Sequence, residues 1–162
     1  MTKACCPGSF DPVTNGHLDI ISRARRQFAE VVVAVLENPS KQALFTVDER
    51  VEILNEVLGG ADDVKVMSFS GLTVDFCKQI GATVIVRGLR TVSDYDFEEQ
   101  MAQMNARMGV ETAFMATNPA YSFLSASLMK EVVRYGGSVD GLVPEAVARR
   151  LEAKLGGPKG DT

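Results

Sequence analysis

The chain's one histidine, His17, closes the run Pro7-Gly8-Ser9-Phe10-Asp11-Pro12-Val13-Thr14-Asn15-Gly16-His17. Thr14 and His17 stand three apart and share one face if that turn is helical. Thr14 or Asn15 can cap such a helix, whose free N–H groups make an anion site with the imidazole beside it. Gly8, directly after an apolar run, lets a ligand approach the backbone closely. A second segment, Val86-Arg87-Gly88-Leu89-Arg90, sets two guanidinium forks three residues apart behind another apolar run. Such forks meet phosphate oxygens in pairs and suit a polyanion better than a point charge does. Lys41 follows a third apolar run and can add a cation at the same edge. The run Tyr121-Ser122-Phe123-Leu124-Ser125-Ala126-Ser127 offers hydroxyls and N–H groups ahead of a helix, which again suits phosphate.

Several other chemistries are excluded. The chain has no G-x-G-x-x-G after its first strand-like run and no G-x-x-x-x-G-K-[ST], so neither a nicotinamide dehydrogenase nor a Walker-type kinase is supported. Cys5, Cys6 and Cys77 form no C-x-x-C pair and fit neither a disulfide framework nor a zinc site; they read as small buried apolar residues. The net charge of −4 argues against a duplex-binding face. No apolar run reaches the roughly 20 residues a membrane helix needs, and the first residues lack a signal core. The expected setting is the cytoplasm, with no membrane or nucleic-acid partner.

The elements that must position these segments follow from hydrophobic pattern. Strand-like runs lie at 3–6, 31–36, 64–69, 83–86 and 112–116. The run 31–36 is continuously apolar, as in a strand covered on both faces of a parallel sheet. Helical spacing links Leu18, Ile21, Ala24 and Phe28; then Val47, Val51, Leu54 and Leu58 behind a Thr46/Glu49 capping box. It links Phe97, Met101, Met104 and Met108 behind Ser93 as cap, a stripe better suited to core than to an interface. Leu128, Val132 and Tyr135 mark a helix ended by Gly136-Gly137, and Pro144 opens a last one carrying Val147, Leu151 and Leu155. Alternation of this kind predicts a doubly wound, Rossmann-like α/β fold, a five-stranded parallel sheet with helices on both faces, for which the order 3-2-1-4-5 is the working hypothesis. One domain should cover 1–155, with a disordered tail at 156–162. Ligands of such sheets bind where the winding reverses, here between the first and fourth strands, and those strands lead into the His17 and Arg87 segments.

The residues P-G-S-F-D-P-x-T-N-G-H, V-R-G-L-R with Asp94 and Glu98 behind it, and Y-S-F-L-S-A-S-L-M-K-E together resemble the bacterial phosphopantetheine adenylyltransferase family, in order from about Lys3 to Leu155. Thr14–His17 matches the (H/T)-x-G-H signature of nucleotidyl transfer. The resemblance implies adenylyl transfer from ATP, with Mg²⁺, to 4′-phosphopantetheine, giving dephospho-coenzyme A and pyrophosphate. By position, Ser9, Lys41 and Arg87 would hold the acceptor phosphate, with Leu72 and Thr73 along its amide arm. Ser9, Phe10, His17, Gly88, Leu89, Arg90, Glu98 and the loop Tyr121, Ser122, Phe123, Leu124, Ser125, Ala126 and Ser127 would hold ATP. His17 would be catalytic, and no protein residue is implied as a metal ligand. The family's usual homohexamer implies self-association.

The implied chemistry agrees with the residue inventory. A phosphate nucleophile is already anionic at pH 7, so the lack of a histidine–carboxylate dyad is expected. The task is to bring two polyanions together, with Lys41, Arg87, Arg90, His17, Mg²⁺ and two helix starts as the positive potential. The rival readings are a sister nucleotidyltransferase making NAD or a CDP-alcohol, and a silent nucleotide sensor on the same scaffold. A tRNA synthetase shares the signature but needs a longer chain and an anticodon-binding region.

Overall fold

A computed structural model describes residues 1–156; the expected tail lies outside the described residues from 157 onward. The chain runs β1 (Lys3–Gly8), α1 (Asn15–Gln27), β2 (Glu30–Leu36), α2 (Val47–Leu58), β3 (Val64–Phe69), α3 (Thr73–Ile80), β4 (Val84–Leu89), α4 (Val92–Arg107), β5 (Glu111–Ala116), a 3₁₀ turn (Pro119–Tyr121), α5 (Ala126–Arg134) and α6 (Glu145–Leu155). All strand pairs are parallel, in order β3-β2-β1-β4-β5. This is the expected doubly wound α/β sheet.

Two cores flank it. The alternation of β1 sends Cys6 to one face and Cys5 to the other. On the Cys6 face, Val31, Val33 and Val35 of β2 pack against Ile21 and Ala24 of α1, Ile53 and Leu54 of α2, Met129 of α5 and Leu151 of α6. On the Cys5 face, Val32 and Ala34 meet Val74, Phe76 and Cys77 of α3. The valine run of β2 is therefore covered on both sides, and every one of its valines is buried. All three cysteines are buried and free.

Four expectations change. The β strands reach further than the apolar runs: Pro7 and Gly8 belong to β1, and Arg87 and Gly88 to β4. The cap of α4 is Thr91, whose hydroxyl accepts from Asp94 N–H, rather than Ser93. Helix α4 buries none of its residues; Met101 and Met104 are 48% and 51% exposed, so the methionine stripe is not core. It lies over the sheet's β5 edge, where no further element among the described residues covers its outer face. On α5 the inner face is Met129 and Val133, whereas Tyr135 is 82% exposed.

The register shows how the site opens. β1 pairs with β2, β2 with β3, and β4 with β5 over six positions each, but β1 meets β4 only at Ala4↔Val84 and Cys5↔Ile85. Beyond Cys5 and Ile85 the two strands part. The sheet splits at its own reversal point, and the carboxyl halves of β1 and β4 become the walls of a crevice.

Candidate active site

The crevice is a cleft of about 570 Å³. It takes in Ser9, Phe10 and His17 from the β1 side, Arg87, Gly88 and Arg90 from β4, Lys41 from the loop after β2, and Tyr121, Leu124, Ser125, Ala126 and Ser127 from the approach to α5. Thr73 and Glu98 line instead a smaller cavity of about 160 Å³, which shares Pro7 and Arg87 with the main cleft. Leu72, Leu89, Ser122 and Phe123 line neither of these two cavities; Leu72 and Phe123 are exposed.

His17 is set by its own helix start. Thr14, not Asn15, is the N-cap of α1: its hydroxyl accepts from His17 N–H at 3.4 Å, and its backbone N–H donates to His17 Nδ1 at 3.0 Å. Accepting that bond requires a lone pair on Nδ1, so the neutral ring carries its proton on Nε2. Phe10 packs edge-on against the imidazole with ring centroids 5.1 Å apart. To do so it adopts φ 47°, in the left-handed region, and Gly8 makes room: a Cβ there would lie 3.1 Å from the Phe10 ring. Burial at the cleft floor, then the charges of Arg90 and Arg87, lower the His17 pKa to about 4. His17 is therefore a neutral N–H donor at pH 7, a correction to its place among the expected cations. Of the α1 N–H groups, that of Asn15 donates to Leu142 O at 2.9 Å and that of His17 to Thr14, so this helix start is largely satisfied within the protein.

The β4 wall carries guanidiniums that are already held. Arg87 forks onto Glu98 through Nη2 (2.8 Å) and Nε (3.1 Å), and its Nη1 donates to Pro7 O at 3.2 Å. Arg90 donates to Leu124 O at 2.6 Å and to Asp94 at 3.3 Å. Gly88 between them is required by packing, because a Cβ would sit 2.9 Å from Ile20 Cγ1 on α1.

On the opposite wall Lys41 is exposed, and its ammonium has no partner among the described residues. Three charged cleft residues, Asp11, Arg50 and Lys130, were given no role from the sequence. Asp11, 7% exposed, accepts the N–H groups of Leu44 (2.9 Å) and Phe45 (2.8 Å) and the Lys130 ammonium (3.2 Å). Arg50, 5% exposed, donates to the carbonyls of Phe45 (3.2 Å), Ser9 (2.8 Å) and Leu36 (3.1 Å). The available signal was an arginine on the inner face of α2, three and four residues before buried Ile53 and Leu54.

The α5 start differs from that of α1. Ser125 caps it by accepting from Leu128 N–H at 3.0 Å, while the Ala126 and Ser127 N–H groups have no partner among the described residues and border the cleft. This is the freer anion site of the two. Among the described residues no three His, Cys, Asp or Glu side chains converge to hold a metal ion. The cleft thus presents N–H donors and cations of the kind that can surround phosphates.

A nucleotide-binding sheet with a T-x-G-H helix start at its split defines the class, and the chain belongs to the cytidylyltransferase-like family, whose model matches residues 5–132. It is 59% identical over 160 residues to the phosphopantetheine adenylyltransferase of Frankia casuarinae, covering 96% of this chain and 99% of that one. It is 54% identical over 155 residues to the phosphopantetheine adenylyltransferase of Thermobifida fusca, covering 95% and 94%.

Proposed function

We propose that the protein transfers the adenylyl group of ATP to 4′-phosphopantetheine, with residues 1–155 acting as one nucleotidyltransferase domain. The observation that carries this reading is the convergence of Ser9, His17, Lys41, Arg87 and Arg90 on one cleft at the sheet's reversal, in a chain matched almost end to end by relatives bearing that name. An acceptor phosphate oxygen attacks the ATP α-phosphorus in line, the bond to the bridging oxygen breaks, and pyrophosphate leaves with that electron pair. Dephospho-coenzyme A is the product. No general base is required, because the nucleophile carries no proton that must be removed.

The residues then divide the work. Lys41, Ser9 and Arg87 receive the acceptor phosphate, and Arg87 joins the main cleft to the Thr73 cavity, which suits an uncharged arm running away from that phosphate. Arg90 and the α5 N–H groups face the triphosphate, and the His17 Nε2–H donates to charge growing on the α-phosphate. With no acidic cluster among the described residues to cage it, Mg²⁺ would be held by the nucleotide's own oxygens, supplying charge neutralisation. The exposed apolar face of α4, with Phe97 69% exposed, supports self-association, and the family's hexamer is the expected form. Among the described residues no helix is long and apolar enough to cross a membrane; the cytoplasm is the setting we propose.

The test is pyrophosphate release from Mg-ATP on adding 4′-phosphopantetheine, with nicotinamide mononucleotide and glycerol 3-phosphate as parallel acceptors. Release with phosphopantetheine alone is expected. Release with another acceptor keeps the chemistry and overturns the substrate; binding of ATP without release overturns the enzyme.

A further inference from the structure

Arg50 is a buried guanidinium with no carboxylate partner among the described residues, an arrangement that costs desolvation free energy unless its N–H groups are well used. They are used on carbonyls of three separate segments: Ser9 where the chain leaves β1, Leu36 at the end of β2, and Phe45 just before α2. Asp11, from the β1 exit loop, takes the N–H of the same Phe45 residue and that of Leu44. Phe45 is thus gripped through its N–H by Asp11 and through its carbonyl by Arg50, while its ring is buried. Between Leu36 and Phe45 runs the loop that carries Lys41.

The two loops joined by this brace are not equally secured without it. The β1 exit loop has buried Phe10 and Val13, the Thr14–His17 cap, and Asn15 bonds to Gly141 O and Leu142 O. The Lys41 loop is exposed from Asn38 to Ala43 and, apart from the brace, is held at its ends by Glu37 N–H on Phe69 O and by Lys154 on Leu44 O. Losing the brace should therefore displace Lys41 far more than His17.

We infer that Arg50 is a positioning residue that, with Asp11, fixes the Lys41 loop against the β1 exit and so sets the enzyme's grip on its acceptor phosphate. This rests on the activity proposed above. Lysine at position 50 keeps the charge but cannot span three carbonyls, so Arg50→Lys separates geometry from charge.

The full-length wild type and Arg50→Lys are assayed with each substrate varied in turn, and backbone amide exchange is followed in both. The expected result is a rise in KM for phosphopantetheine of about tenfold, the size of one or two lost buried hydrogen bonds, with KM for ATP nearly unchanged. Exchange should accelerate at 38–46 and stay slow in α1. Unchanged KM values, equal rises for both substrates, or a lowered Tm alone would overturn the positioning role. If Arg50→Lys does not fold, Asp11→Asn, which keeps the shape but weakens the same grip, is held to the same outcomes. A wild type that turns over no phosphopantetheine refutes the activity instead, and the exchange pattern then decides the brace by itself.

Discussion

Arg87 and Arg90, on the β4 wall of the cleft, are held by Glu98, Asp94 and backbone carbonyls of Pro7 and Leu124, whereas Lys41 on the facing wall has no side-chain partner among the described residues. A guanidinium fork already fixed at its angle loses little conformational freedom when phosphate arrives. A free lysine must be ordered on binding, but it can follow the ligand. On the proposed function, the arginine wall would set where phosphate sits, and the lysine would adapt to it. The carboxylate beside each arginine also means that a phosphate bound there would compete with a group of the protein itself.

Removing the group that lies between the walls should have the largest effect and favour neither. His17→Ala is expected to lower turnover on the order of 10²–10³-fold, as for loss of one transition-state donor, with both KM values little altered. Near-normal turnover would take His17 out of the chemistry. The walls themselves are compared by Arg87→Ala and Lys41→Ala. Arg87→Ala should raise KM for phosphopantetheine by about 10²-fold, since it removes a bidentate contact and strands a mostly buried Glu98. Lys41→Ala should cost about tenfold, as its ammonium is solvated before binding. Equal losses would break the distinction between a fixed and an adaptable wall.

How far these residues were legible follows from sequence distance. The strands, the helices and the doubly wound class came from apolar runs and alternation, which report burial directly, whereas the strand order 3-2-1-4-5 was a hypothesis beyond them. The α4 stripe of Phe97, Met101 and Met104 shows the limit of that signal: periodicity marks an apolar face without saying what covers it. The bare site segments were visible because unusual residue types cluster within each. Asp11, Arg50 and Lys130 were not, because their meaning lies in partners far along the chain, Asp11 with Phe45 and Lys130, and Arg50 with Ser9. The charge state of His17 was equally hidden, since it depends first on burial in the cleft and then on Arg90 and Arg87 brought across the split sheet.

A smaller effect tests the competition at the arginine wall. Glu98→Gln keeps the shape and one acceptor for Arg87 but removes a negative charge that a bound phosphate would face. Repulsion of a near-dianionic phosphate outweighs one weakened hydrogen bond at the effective dielectric of a partly exposed site. KM for phosphopantetheine should therefore fall by about threefold. A rise would mean that Glu98 matters more for aiming the fork than for competing with its ligand.

The smallest effect on rate is expected from pH. The ordinary imidazole value is 6.5, and in the fold it is lowered to about 4. Between those values the unfolded chain binds a proton that the native chain refuses, so stability falls as pH drops from about 6.5 toward 4 and levels off below. Turnover at saturating substrate should show no His17 limb between pH 7 and about 5, unlike an enzyme that needs an imidazolium. Because the chain has one histidine, its titration can be read by nitrogen NMR without overlap, with a midpoint near 4 and the proton on Nε2. A midpoint near 6.5 would restore a cationic role. The walls separate here too: after burial, the main causes of the lowering are Arg90 and Arg87, so Arg90→Gln should raise the midpoint partway, while Lys41→Ala leaves it unmoved. A shift with Lys41→Ala would place the lysine closer to the imidazole than an open, adaptable wall allows.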